Sequence, residues 1–204
     1  MNDLRLVPSI LADPELGPGR IAKSWYDLAS RQDPWYDAFS LATATTDGEV
    51  SCRVVRGEIL EGGTARFGSS IRSRKSRQLG ENTRAALLAF WQRSERQLRM
   101  EGQITIDDET TADSIFSRRP RDLQLLAWVT TDGEPQTPAE YSAEFKRIDR
   151  NFRNREIPRP AYWRIYLLVP TRYEFWEANE NRHHVCVRYD KSHNDDWKHA
   201  FVGP

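Results

Sequence analysis

The chain has 204 residues, and its 30 basic and 30 acidic side chains balance to a net charge of zero. That balance argues against a nucleic-acid partner, which usually meets a basic excess over a whole face. No apolar run is long enough to span a bilayer, so no membrane partner is expected either. Two cysteines, Cys52 and Cys186, are too few for a disulfide framework, and the N-terminus lacks the basic-then-apolar layout of a secretory signal. A reducing cytoplasm is the expected setting.

Residues 1–16 are expected to form a flexible N-terminal arm, with the whole chain, 1–204, folding as a single domain. From Gly17 to Gln32 the apolar positions Ile21, Trp25 and Leu28 fall on one helical face, and Pro34 ends it. Phe39 to Thr45, an Asp47-Gly48 turn and Val50 to Val55 predict a β-hairpin, and Ala65 to Ser69 a third strand after the Gly62-Gly63 turn. Next comes a cluster of cations, Arg72, Arg74, Lys75 and Arg77, within six residues and just before two apolar, aromatic-rich strands. Arg offers forked donors that suit phosphate oxygens and Lys adds a point charge, so this stretch is a candidate anion site beside a flat apolar slot. A solvated helix face would give the same charge pattern. Arg53 weighs against that reading, because it interrupts an apolar strand where an unpaired cation is costly, and the same anion could be its partner.

The clearest strand is Gln97 to Ile106, where Leu98, Met100, Ile104 and Ile106 alternate with polar residues. Gly102 breaks its apolar face, as a bulge or a close backbone approach would require. Asp108 to Arg118 and Thr137 to Arg153 read as helices entered from capping residues, and Pro120 separates the first from a short apolar segment ending at Trp128. Tyr162 to Val169, Tyr173 to Trp176, Val185 to Tyr189 and Trp197 to Val202 read as short strands joined by Pro170 and polar turns. Strand content dominates, so the expected class is mainly β, a small antiparallel barrel with peripheral helices. His183, His184, His193, Asp195 and His199 raise a metal site, but adjacent strand residues face opposite ways and no compact ligand spacing recurs, so no metal is expected.

Six collinear pieces carry a family resemblance: LATATTDGEVSCRVV (41–55), SRKSRQLGENTRAALLAFW (73–91), ERQLRMEG (95–102), SRRPRDLQLLAW (117–128), IPRPAYW (157–163) and EFW followed by NRHH (174–184). With these the chain resembles the pyridoxamine 5'-phosphate oxidase family from about Trp25 to the C-terminus. The resemblance implies an FMN-binding split β-barrel, a homodimer with two flavin sites at the subunit interface, and a small-molecule substrate. It implies that Arg53, Arg74 and Lys75 hold the FMN phosphate with Ser69 and Ser73 as further donors, and that Gln97 and Trp176 contact the flavin ring. It places Arg119, Arg182 and His184 on the substrate. In an extended segment Arg182 and His184, two apart, would project to the same side.

The departures from the family pattern bear on the substrate. Where the vitamin B6 oxidases carry a Lys, a Tyr and a Ser on the substrate phosphate, this chain has Glu58, Ile115 and Leu123. A carboxylate there would repel a phosphate dianion. Asp132-Gly133 stands where the family has Gln-Ser, and Cys186 where it has a flavin-contacting Arg, for which Arg188 is a candidate substitute. The expectation is therefore an FMN-dependent oxidase, similar in character to the phenazine-biosynthesis flavin oxidases. It would move hydride from a small non-phosphorylated heterocycle or amine to flavin, with oxygen as acceptor and hydrogen peroxide as product. No general base stands out. A true pyridoxine or pyridoxamine 5'-phosphate oxidase, reduction of an exogenous acceptor by reduced flavin, and a non-catalytic flavin-binding protein remain as alternatives.

Overall fold

The computed structural model describes residues 16–129, 132–178 and 184–203. Most of the expected N-terminal arm, and Arg182, therefore lie outside the described residues. In chain order the elements are α1 (Pro18–Gln32), β1 (Ala38–Ala44), β2 (Val50–Ile59), β3 (Ala65–Ser70), α2 (Arg74–Glu81), β4 (Arg84–Trp91), β5 (Arg96–Ile106), α3 (Glu109–Ser117), α4 (Arg121–Val129), α5 (Pro138–Asn151), β6 (Trp163–Glu177), β7 (Val185–Lys191) and β8 (Trp197–Phe201).

Among the described residues, eight strands join one antiparallel sheet in the order β3-β2-β1-β4-β5-β6-β7-β8, and a further β3–β6 pairing closes the first six into a barrel. The closing strand β6 has 15 residues. Its first part, Trp163 to Leu168, pairs with β3, whereas Arg172 to Glu177 pairs with β7. Strand β6 thus seals the barrel with one end and carries a β7–β8 extension with the other, the split-barrel architecture that the sequence led us to expect.

Strand β6 also corrects the expectation of two short strands joined at Pro170. Proline lacks the N–H that a ladder needs and is normally confined to strand edges or bulges. Here Pro170 stands opposite Gly102, where the β5–β6 register shifts between Glu101 and Gly102. The bulge absorbs the missing donor, and the strand runs on. A Cβ on Gly102 would lie 2.1 Å from the Val169 carbonyl oxygen, so both roles suggested for this glycine are realised at one point.

The described residues form two buried clusters. One occupies the barrel and is covered by α1, whose Ile21, Trp25 and Ala29 face inward. Trp25 meets Phe175 edge-on with ring centroids 5.2 Å apart, and the buried Arg96 lies over its other side, 4.7 Å from the ring centroid. Arg96 is paired with Glu177 at 2.9 Å, so a buried cation is neutralised and also fastens the helix. The second cluster packs Phe116, Leu125, Ala127 and Ile148 of α3, α4 and α5 against Trp163 and Ile165 at the start of β6. The segment read only as apolar up to Trp128 is the helix α4. Pro120 just ahead of it and Asp122 in its first turn are entry signals that support this. Both long-helix caps expected from sequence are present: Asp108 accepts from the Thr111 N–H, and Thr137 with Glu140 forms a reciprocal capping box.

The Gly102 contact yields a stability prediction. Gly102→Ala should cost about 1–3 kcal/mol through overpacking against the Val169–Pro170 backbone, read as a lowered midpoint in urea unfolding. An unchanged midpoint would show that the bulge can move aside.

Candidate functional site

The cation cluster divides once folded. Arg72 is exposed and lies over the Tyr162 ring, 4.2 Å from its centroid, and Arg77 donates to the Arg72 carbonyl oxygen. Arg74 and Lys75 instead begin α2 and line a pocket of about 400 Å³ together with Ser51, Cys52, Arg53, Ser73, Asp132 and Gly133. Ser73 is the N-cap of α2 but makes no side-chain capping bond, which leaves the amides of the first turn available to an anion. Its hydroxyl donates instead to the Ser70 carbonyl at 2.9 Å and lies 3.3 Å from the buried Ser69 hydroxyl. Arg74 is exposed at the rim and ion-paired with Glu49.

Arg53 answers the question its position raised. Its guanidinium donates to the Leu41 carbonyl at 2.9 Å and the Thr43 hydroxyl at 2.8 Å, and also to the Ser51 hydroxyl. All of these acceptors are neutral, so its positive charge stays uncompensated by them and is available to a ligand. Burial lowers the Lys75 pKa, and the nearby Arg53 charge lowers it further, partly offset by Asp132. Two neighbouring cations held this way suit a phosphate dianion in both charge and donor geometry.

Sequence reasoning missed Gln78. It is 3% exposed, and its Oε1 accepts from Thr43 at 2.5 Å and from Ser51 at 2.7 Å. Its Nε2 donates to the Glu49 carbonyl at 3.1 Å. Gln78 thereby fixes the two hydroxyls that hold Arg53. The available signal was a polar residue four positions ahead of the C-cap Asn82, on the same helical face as Lys75 and Leu79, which is too common to single out.

Lys75 also lines a second cavity of about 410 Å³, with Val54, Arg56, Glu58, Arg66, Phe67, Ile115, Arg119, Leu123, Trp163 and Ile165 among its walls. The three departures from the family pattern, Glu58, Ile115 and Leu123, and the matching residue Arg119 thus meet in one place, joined to the anion pocket through Lys75. Arg119 is sandwiched by apolar surface, its guanidinium carbon 4.9 Å from the Trp163 ring centroid and 5.8 Å from that of Phe116. Its Nη1 is buried and finds no acceptor within the described chain. Glu58 is engaged by Arg66, at 3.0 Å from Nε and 2.7 Å from Nη2.

The remaining expected residues gather elsewhere. Gln97, Trp176 and Cys186 are cross-strand neighbours on β5, β6 and β7, and Trp176 packs on His184 with ring centroids 4.7 Å apart. Arg188 is ion-paired with Asp190 at 2.8 Å. Burial pushes the Cys186 thiol up to about 11, so it stays neutral near pH 7 and supplies no charge in place of an arginine. In the sheet order β5 is separated from β2 by β1 and β4, roughly 14 Å at ordinary strand spacing. Within one chain the Arg53–Lys75 pocket and the Gln97–Trp176–His184 group therefore form two separate surfaces.

Residues 36–150 match the family model described as pyridoxamine 5'-phosphate oxidase. The chain belongs to the pyridoxamine 5'-phosphate oxidase family. Residues 163–204 match a second model, the pyridoxine 5'-phosphate oxidase C-terminal dimerisation region. Among named relatives, a pyridoxine/pyridoxamine 5'-phosphate oxidase from Rubrobacter xylanophilus is 36% identical over 95% of this chain and 88% of its own length. One from Nostoc punctiforme is 34% identical over 93% and 90%. The fold superposes on PhzG from Burkholderia lata 383, solved with tetrahydrophenazine-1-carboxylic acid, with a TM-score of 0.88, 26% identity and 100% of both chains covered. An FMN-binding, pyridoxamine 5'-phosphate oxidase-related protein from Nostoc punctiforme shares the fold at a TM-score of 0.78 and 19% identity, over 92% of this chain and 98% of its own. This family membership makes the protein an oxidoreductase with FMN as its cofactor, and the donor set around Arg53 and Lys75 fits the cofactor's phosphate.

Two measurements follow from this pocket. Gln78→Leu should weaken FMN binding about tenfold, the order of a buried hydrogen-bond network lost. Riboflavin, which lacks the phosphate, should be unaffected, and an equal loss for both would mean general damage to the fold. FMN affinity should also fall as pH rises into the alkaline range, because a Lys75 with lowered pKa deprotonates earlier than an ordinary lysine. Titration of Lys75→Met should abolish that limb, and its persistence would assign it to another group.

Proposed function

We propose that this protein is an FMN-dependent oxidase acting on a small, non-phosphorylated ring or amine metabolite that carries a single anionic group, with oxygen as electron acceptor and hydrogen peroxide as product. The setting is a cytoplasmic, phenazine-like secondary metabolism. The observation that carries the reading is the cavity beside the anion pocket. It offers Arg119, with a buried N–H lacking an acceptor, while Ile115 and Leu123 bring apolar walls and Glu58 brings a carboxylate. Full-length similarity to PhzG, solved with a tricyclic carboxylic acid, supports this choice.

When bound, FMN supplies the hydride-accepting ring. Arg53 and Lys75, with the first-turn amides of α2, hold its phosphate, and Ser69 and Ser73 shape that end of the pocket. A second copy of the chain, joined through the region of residues 163–204, brings Gln97, Trp176 and Arg188 of one subunit to the flavin ring over the other's phosphate site. Arg119 holds the substrate's anionic group, its planar guanidinium kept in orientation by Trp163 and Phe116. Ile115, Leu123 and Trp163 exclude water from the face where C–H cleavage takes place. Arg182 and His184 complete the substrate's surroundings. The residues supply positioning, and the redox chemistry is the cofactor's.

A second reading, oxidation of pyridoxine or pyridoxamine 5'-phosphate, is favoured by the 36% identity to a protein of that name, higher than the 26% to PhzG. Visible absorbance of the FMN-loaded protein, before and after anaerobic addition of pyridoxine 5'-phosphate, separates the two. Under the proposed function the flavin stays yellow with this compound and bleaches with a reduced ring carboxylate. Rapid bleaching by pyridoxine 5'-phosphate would install the second reading instead.

A further inference from the structure

Four cations line the cavity of Arg119: Arg56, Arg66, Lys75 and Arg119 itself. Their charges are not equally available. Arg56 is paired with Asp37 at 2.7 Å. Arg66 is paired with Glu58, and because the two stand directly opposite on β2 and β3, the backbone register fixes that pair in place. Lys75 faces the anion pocket as well, where the cofactor phosphate claims it. Arg119 is left as the cation with no carboxylate bound to it among the described residues.

From this arrangement we infer that Arg66 is a specificity-determining residue. By neutralising Glu58 it sets the cavity to accept a planar ring bearing one negative charge and an N–H donor, and to reject a phosphate dianion. The inference rests on the reading of this cavity as the substrate site. Both Arg66 donors go to Glu58 Oε1, so Oε2 is left to accept a hydrogen bond from a ligand. A ring carboxylate with an N–H can place its anion on Arg119 and its donor on that oxygen. A phosphate ester offers a second negative charge in place of the donor, and the neutral Glu58–Arg66 pair supplies no cation to meet it unless Arg66 is free to turn toward it. The pair therefore discriminates by charge count: intact, it contributes no net charge, and removal of either member changes the wall by one unit in opposite senses.

The test uses the FMN-loaded protein and two probes, 2-aminobenzoate as the monoanionic N–H carboxylate and phenyl phosphate as the dianion, with dissociation constants from isothermal titration calorimetry. Glu58→Gln, which frees Arg66, should tighten phenyl phosphate about tenfold and weaken 2-aminobenzoate. Arg66→Met, which leaves Glu58 uncompensated, should weaken phenyl phosphate by a similar factor, and Arg66→Lys should restore most of the wild-type value. Arg119→Met serves as the control and should weaken both probes. If Arg119→Met weakens both while Glu58→Gln and Arg66→Met leave phenyl phosphate unmoved, or move it in the same direction, the role of Arg66 is refuted and the cavity reading stands. If Arg119→Met changes neither probe, the cavity is not the substrate site and both ideas fall. The visible flavin spectrum of each variant checks that the fold and the cofactor are retained.

Discussion

The rest of the site depends on a guanidinium held by neutral oxygens. Had Arg53 been seated on a carboxylate, its charge would be spent, and the pocket beside it would have little use for an anion. Seated on Leu41 O, Thr43 and Ser51, it is fixed in direction and keeps its charge. Gln78 supplies the constraint behind that arrangement. One buried amide oxygen takes both hydroxyl protons, which forces the hydroxyl lone pairs toward the arginine. The same face of the helix that buries Gln78 against these hydroxyls carries Lys75 one turn earlier, next to the uncapped amides. Helix α2 is thus at once the anchor of the Arg53–Lys75 pocket and a main source of its donors.

Strand β6 does for the Arg119 cavity what α2 does for the Arg53–Lys75 pocket. Its first residues, Trp163 and Ile165, belong to the cluster beneath α3 and α4, and they also form the cavity wall that faces the β2–β3 ladder. Its far end carries Trp176 to the β5–β6–β7 surface. A break at Pro170 would separate these two functions mechanically. The bulge at Gly102 keeps the strand continuous, so the helical layer, the barrel and the Gln97–Trp176 surface share one rigid element.

Much of this was legible in the sequence where a local rule coincided with a tertiary one. The β1–β2 hairpin, the alternation of β5 and the capped helices α3 and α5 follow from turn chemistry, period and caps that the folded chain leaves unchallenged. The long β6 was not legible, because a proline inside a strand signals a break unless the partner strand's bulge is known, and that pairing spans almost 70 residues of sequence. The cation cluster illustrates the same limit within the site. Its spacing suggested an anion site but not that Arg72 and Arg77 turn away from the Arg53–Lys75 pocket, since stacking on Tyr162 depends on a loop far along the chain. Glu58 could be read as an obstacle to phosphate, yet its partner Arg66 escaped notice because strand register, unlike composition, is set by the turn between β2 and β3.

Lys75 ties the two pockets into one electrostatic system. Without a cofactor, the Arg119 cavity has both Lys75 and Arg119 to offer, which would attract any small anion, phosphates included. A phosphate bound between Arg53 and Lys75 draws off the lysine's charge and returns its pKa toward the ordinary range, since an adjacent anion favours the protonated amine. The cavity then presents one uncompensated guanidinium, hemmed by Trp163 and Phe116, opposite walls that are apolar or internally paired. Under the proposed function, selectivity for a single negative charge would therefore belong to the loaded protein and not to the bare chain. Because Lys75 lines both pockets, that function would couple binding of the cofactor to choice of the substrate through the protonation and partners of one side chain.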